Sequence, residues 1–346
     1  MSTKSRSVLF PIFALAGLIA ATAIAYPRLA VEHGDSCKSC HINPTGAGAR
    51  TEFGNYSVAL NELTLPQTKE IVAKRYKRSR IGESLIFGFD MRHLLFSDGR
   101  LFRMQTDVYL TAEPFKDMFY HIRLGEHGVF ENYALVTFKD EKYYLKAGRF
   151  YPTFGLHNDD HQAYVRERSG FGPLEYLDGA AIGVEQFGVN FSAEFFNQEQ
   201  RGIYGLHAFR AGSVGPLGYL AGTSLRLAEE HGGSTGQFPT ARALFGGLSF
   251  NRFTALGEVD LNGKHVDTVI YYGALYGRVE YGLWLVGEYN FFDGNRHVAS
   301  GVDEFVRLSA EFYPIPFFEL RPSLTYYTRG FRDNQHEWFL QIHFGY

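Results

Sequence analysis

The last eleven residues, His336-Glu337-Trp338-Phe339-Leu340-Gln341-Ile342-His343-Phe344-Gly345-Tyr346, place Trp338, Leu340, Ile342, Phe344 and the terminal Tyr346 on one side of an extended chain. Successive side chains of a strand point to opposite faces, so this period of two gathers five apolar or aromatic groups on one surface and sends His343 to the other. The same alternation recurs upstream. Met104, Thr106, Val108 and Leu110 interleave with Arg103, Gln105, Asp107 and Tyr109, and Phe318, Leu320, Leu324 and Tyr326 with Glu319, Arg321, Ser323, Thr325 and Tyr327. An apolar face turned outward and a charged face turned inward is what a water-filled barrel in lipid requires. A soluble sandwich would turn its mixed face outward.

Working outward from that strand, the pattern runs from about residue 82 to the end, interrupted by turns. It predicts about sixteen strands, beginning near 84–96 and 100–112 and ending with 317–329 and 336–346. The Gly-rich pieces near 188 and 213 are weakly patterned and leave fourteen as the alternative count. Short connections at Lys139 to Lys142, Phe187-Gly188, Asn251-Arg252 and Pro314-Ile315-Pro316 are expected at the periplasmic end. Longer ones, such as Ala228 to Thr240 and Phe292 to Ser300, are expected outside. Composition agrees: 16% of residues are aromatic, with 32 Phe and 22 Tyr but 2 Trp, beside 38 Gly. Aromatic girdles with alternating apolar and polar positions are the signature of an outer-membrane barrel. The fold expectation is therefore all-β, a transmembrane barrel over 81–346, following a small module at 26–80. The closing aromatic strand resembles the assembly signal of bacterial outer-membrane proteins.

Residues 1–25 read as an export signal. Lys4 and Arg6 form the charged start, Val8 to Ala21 the apolar stretch, and Ala23-Ile24-Ala25 a small-residue cleavage site, with an uncleaved anchor as the other reading. Removing them takes 2 of the 34 Lys+Arg and none of the 37 Asp+Glu, giving a formal charge of −5, which points away from a nucleic-acid partner.

The only two cysteines lie in Cys37-Lys38-Ser39-Cys40-His41. Two thiols two residues apart can form thioethers to the vinyl groups of one haem, with the following histidine as iron ligand. A zinc site would need a second ligand pair, and a dithiol redox motif would normally sit in a βαβ context; a simple disulfide is the remaining competitor. Asn43-Pro44-Thr45-Gly46-Ala47-Gly48 is turn chemistry that lets the chain pass close over a haem edge. Phe53 and Tyr56 are candidates to pack on the porphyrin, or they are ordinary packing residues. Lys69, Lys74, Arg75, Lys77, Arg78 and Arg80, opposed by Glu70, form a basic run that reads as a solvated linker or as a docking surface for an acidic redox partner or lipid phosphate.

Taken with Tyr26-Pro27-Arg28-Leu29-Ala30 and Gly34, the Cys37 to His41 motif followed by one barrel resembles the outer-membrane monohaem cytochrome–porin fusions, including those that oxidise ferrous iron. The resemblance implies one haem c at the periplasmic end of the barrel or in its lumen, bound by Cys37 and Cys40 with His41 on the iron. It implies electron transfer across the bacterial outer membrane between an extracellular donor or acceptor and a periplasmic c-type cytochrome. The chain departs from that family in its shortness and in its Asn43 to Gly48 loop, so the iron substrate is not carried over. The stretch Ala147 to Gly155 and the connection Tyr151 to Tyr176 resemble the strand and lumen-narrowing loop of general and anion-selective porins.

That connection carries His157, Asp159, Asp160 and His161, which could hold a divalent first-row metal, or which simply charge a constriction loop. Candidates for a second axial haem ligand are His33, near in sequence, and His121 and His343, which have lumen parity; an empty or water-bound position is the alternative. Three functions follow: an electron conduit, a passive solute porin with a haem-bearing appendage, and a haem sensor or peroxidase, the last disfavoured by the lack of a distal catalytic set. A homotrimer is compatible with the sequence.

Overall fold

The computed structural model describes residues 27–74, 80–82, 84–126, 128–158, 160–169, 175–198, 201–228, 240–263, 265, 267–298 and 300–346. The export signal, Arg75, Lys77, Arg78, Asp159 and most of the 228–240 connection lie outside them. After a two-residue strand β1 (Arg80–Ile81), sixteen antiparallel strands form the wall: β2 (Leu85–Phe96), β3 (Leu101–Phe115), β4 (Met118–Gly125), β5 (Gly128–Phe138), β6 (Tyr143–Phe150), β7 (Leu177–Gln186), β8 (Val189–Gln198), β9 (Arg201–Val214), β10 (Leu217–Ala228), β11 (Ala241–Phe250), β12 (Phe253–Asn262), β13 (Thr268–Glu280), β14 (Leu283–Asp293), β15 (Val302–Ile315), β16 (Phe318–Arg329) and β17 (His336–Gly345). Each pairs with its sequence neighbour. β17 pairs with β2 in the register Phe339↔Phe96 to Gly345↔Asp90, so the barrel is closed and has no free edge.

The expected parity holds. On β16, Glu319, Ser323 and Thr325 are buried inside while Leu324 is exposed outside; on β17, His343 is inside and Trp338 outside. An outer belt of Leu145, Ile182, Leu206, Leu244, Leu275 and Leu308 is exposed. One rim carries exposed Phe187, Phe250, Phe253 and Tyr281; the other carries Tyr204, Tyr271, Tyr289 and Trp338.

The two ends differ because of the turns. Tight hairpins need left-handed residues, and at one end these are Asp117, Lys139 to Glu141, Phe187, Asn251 and Phe317, all with φ between 53° and 67°. One expected turn moves: β15 runs through Ile315, and the reversal falls on Pro316-Phe317 instead of Pro314 to Pro316, because Phe317 takes the left-handed conformation.

Two segments enter the lumen. From the tight-turn end enters the N-terminal module, with helix α1 (Pro27–His33), the single helical turn α2 (Cys37–Cys40), a wide π-type helix α3 (Phe53–Leu60) and helix α4 (Pro66–Ala73). Arg28 is ion-paired with Glu311 of β15 and lies over the rings of Trp284 and Tyr276, 4.7 and 5.0 Å from their centroids. Lys38 and Ser36 hold Glu185 at 3.3 and 3.0 Å, Glu32 meets Thr254 at 3.1 Å, and Leu65 N–H bonds the Tyr313 carbonyl at 3.2 Å.

The connection from β6 to β7 folds inward to meet the module. An irregular segment can be buried only if its amides find acceptors, and wall carboxylates supply them. Thr153 donates from N and Oγ1 to Glu194 (2.9 and 2.7 Å), Leu156 N to Glu258 (2.8 Å) and Gly155 N to Ser224 Oγ (3.0 Å). At Gly155 (φ +63°) an added Cβ would lie 1.6 Å from Glu258, so only glycine lets the loop seat this deeply. Helix α5 (Tyr164–Glu167) then crosses to the far wall, where Tyr164 N bonds Asn290 Oδ1 at 3.0 Å.

Candidate functional site: a chamber between the module and the wall

Cysteines three apart fall on the same face of a helical turn. In α2 both Cys37 and Cys40 therefore face one chamber, and neither is in a disulfide. The chamber has about 930 Å³ of space, part of it continuous with solvent. Leu29, Val58 and Leu63 of the module, Leu156 of the inward loop, and Phe209 and Phe245 of the wall make its lining largely apolar.

Local packing fixes the motif. His41 pairs with Arg50 in an isolated bridge, Thr51 Oγ1 bonds the Ser39 carbonyl at 2.7 Å, and Asn43 Nδ2 bonds the Gly46 carbonyl at 2.8 Å. Helix α3 abuts α2 so closely that a Cβ on Gly54 would sit 2.4 Å from the Cys40 carbonyl oxygen. The inner tip of the module reaches Lys146 of β6, whose Nζ lies 3.4 Å from both Asn43 Oδ1 and Thr45 Oγ1.

Two thiols outside any disulfide, followed by a histidine, are the donors that a covalently held metal macrocycle would use. Burial pushes the Cys37 thiol up to about 12 and the Cys40 thiol up to about 11, so neither rests as a thiolate near neutral pH. Burial, helped by the Arg50 charge, lowers His41 to about 3, leaving a neutral imidazole. Its Nδ1 is buried without a hydrogen-bond partner, and the backbone of Gly48 and Ala47 lies within hydrogen-bonding reach of the ring.

The other sequence candidates are dispersed. His33 borders the chamber, but its Nε2 is 3.0 Å from Glu62 Oε2. His121 lies deeper, with Nδ1 2.7 Å from Thr111 Oγ1 and its ring beside Tyr133. Both His343 nitrogens are engaged, Nδ1 with Glu319 (3.0 Å) and Nε2 with Asp90 (3.1 Å). Phe53 and Tyr56 are both exposed, and of the two Phe53 lines the chamber.

On the inward loop, His157 bonds the Thr45 carbonyl (3.2 Å) and stacks on Tyr151, Asp160 is ion-paired with Arg307, and His161 lies in a polar cleft with Arg92, Arg123 and Arg166. Burial and nearby arginines lower both histidines to about 3. No cluster of three or more His, Cys, Asp or Glu suited to a metal ion occurs among the described residues.

Sequence reasoning missed one histidine of the chamber, His207. It has lumen parity on β9, but so does every second residue of sixteen strands, and nothing local marks it.

No protein-family model matches the chain, and no curated protein sequence matches it. Solved structures do. OprB of Pseudomonas putida at low pH aligns with a TM-score of 0.58 and 10% identity over 76% of this chain and 93% of that one. OmpF of Salmonella typhi in complex with daunomycin gives 0.55 and 12% over 77% and 98%. In-vitro folded OmpT of Vibrio cholerae in its trimer form gives 0.50 and 11% over 76% and 100%. The chain thus has the closed sixteen-stranded barrel fold of the outer-membrane porins.

Proposed function

We propose that this chain is a bacterial outer-membrane barrel that carries one covalent haem c in its lumen and passes electrons between an extracellular donor or acceptor and a periplasmic cytochrome. The observation that carries this reading is the apolar chamber bordered by Cys37, Cys40 and His41, inside a barrel with an apolar outer belt. Bound there, the haem would supply one-electron redox chemistry. The chain's own residues do the rest: the two sulfurs anchor, His41 offers a ring nitrogen, and the apolar lining limits water. An apolar band about 25 Å tall is too thick for efficient single-step tunnelling, so a redox centre held within it shortens both gaps.

The likeness to porins supports the second reading, passive solute passage, more directly than it supports electron transfer. Against it stands the lumen itself, which both the module and the Tyr151 to Tyr176 loop enter and where both bond to the wall. Assembly as a homotrimer, after the trimer form of OmpT, belongs to the same proposal.

The test starts with covalent haem: a denaturing gel with a haem peroxidase stain should give a band that disappears in Cys37→Ala/Cys40→Ala. Proteoliposomes holding a redox dye, with an impermeant partner outside, should then convert the dye with wild type and not with His41→Ala. Equal conversion in both, or conversion only with dye leakage, would select the solute porin.

A further inference from the structure

Four histidines border the chamber, and their ring nitrogens are committed differently. His33 is held by Glu62, and His157 by the Thr45 carbonyl and the Tyr151 ring. His41 comes from the module. The fourth, His207, projects from the middle of β9 and is only 8% exposed. Its Nδ1 is 2.8 Å from Ser224 Oγ on the adjacent strand β10, and its ring lies flat on Phe245, with centroids 5.2 Å apart and planes 9° apart. Phe209 meets it edge-on at 5.6 Å. Among the described residues Nε2 makes no hydrogen bond, and it is not one of the sealed, unpartnered buried atoms, so it opens on the chamber.

We propose that Nε2 of His207 is the second axial ligand of the haem iron, so that the iron is held by two imidazoles, one from the module and one from the barrel wall. This rests on the covalent-haem reading above. A histidine that ligates through Nε2 needs its proton on Nδ1, and an oxygen acceptor for that proton fixes both tautomer and ring plane. Ser224 Oγ, 2.8 Å away, is placed to be that acceptor. It is itself tied by the Gly155 N–H at 3.0 Å, so the inward loop helps to hold the ligand's orientation. The Phe245 face and the Phe209 edge restrict rotation of the ring. Of the two other bordering histidines, His33 has the nitrogen that would ligate engaged with a carboxylate, and His157 sits on a loop at φ +54°, turned also toward the cationic cleft.

Two consequences separate this arrangement from a ligand set lying within the module. Coordination would staple module to wall, so release of the module from the barrel would break the Nε2 bond and leave the iron five-coordinate. With two imidazoles in place of a His/Met pair, the potential would lie on the lower side of the c-type range.

The experiment uses full-length protein matured with its haem in outer membranes, read by visible and electron paramagnetic resonance spectra. Wild type should be low-spin with a bis-imidazole signature. His207→Ala should turn high-spin, take up cyanide faster than wild type, and recover a low-spin spectrum with added imidazole. His207→Met should acquire the charge-transfer band of a His/Met haem, and Ser224→Ala should weaken the axial ligand roughly tenfold. Heat-modifiable gel mobility confirms that each variant barrel is folded. A haem-loaded wild type whose low-spin spectrum survives in His207→Ala, or is lost in His157→Ala instead, overturns the assignment alone. A haem-free folded wild type overturns the covalent-haem reading and this assignment with it.

Discussion

Arg28→Ala should unseat the module and open the lumen. The guanidinium is 1% exposed, paired with Glu311 and placed over Trp284 and Tyr276 at 4.7 and 5.0 Å. Removing one partner of a buried ion pair costs about 3–5 kcal/mol when the other is left without compensation. Here Arg321 lies 3.9 Å from the second Glu311 oxygen, which sets the pair's share near the low end. The two lost cation–π contacts add about 1–2 kcal/mol. The seated-to-unseated ratio should therefore fall by about three to four decades. The assay is conductance in planar bilayers. Wild type should stay closed for nearly all of the trace, whereas Arg28→Ala should show long open periods with the barrel still heat-modifiable on gels. Arg28→Met/Glu311→Leu, which removes both charges and keeps the volume, should recover much of the closed state. If the open fraction of Arg28→Ala stays within about twofold of wild type, or the double variant is no better than the single one, the buried pair is not what holds the module.

Two further outcomes concern the module and the wall. The hydrogen bond to Glu62 raises the His33 pKa from its ordinary 6.5, so the pair stabilises the module fully below that value and loses its contribution as pH rises through the raised one. Amide exchange in α1 should thus be faster in His33→Gln than in wild type at about pH 5.5 and equal at about pH 9, and an effect that grew with pH would contradict the pairing. On the lipid face, Leu308 is 61% exposed between buried Arg307 and Ser309 in the middle of β15, so Leu308→Arg should cost about 2–4 kcal/mol in urea titrations of the barrel refolded in vesicles. Phe187→Arg, at the aromatic rim, should cost only about 0–1 kcal/mol.

Much of this protein was legible in order along the chain. A strand's face is set by parity alone, so the inward and outward positions of β3, β16 and β17 could be read directly, as could the strand count, the short-turn end and the Cys37 to His41 motif itself. What stayed hidden depends on partners far apart in sequence. Arg28 meets Glu311 across 283 residues, Leu156 meets Glu258 across 102, and the Asp160 carboxylate, which pattern alone offered to a metal, is taken by Arg307. His207 reads as one more inward position of one more strand. It borders the chamber because barrel closure and the inward fold of the Tyr151 to Tyr176 loop bring β9, β10 and the module together, and a long-range meeting of that kind leaves no mark on local periodicity.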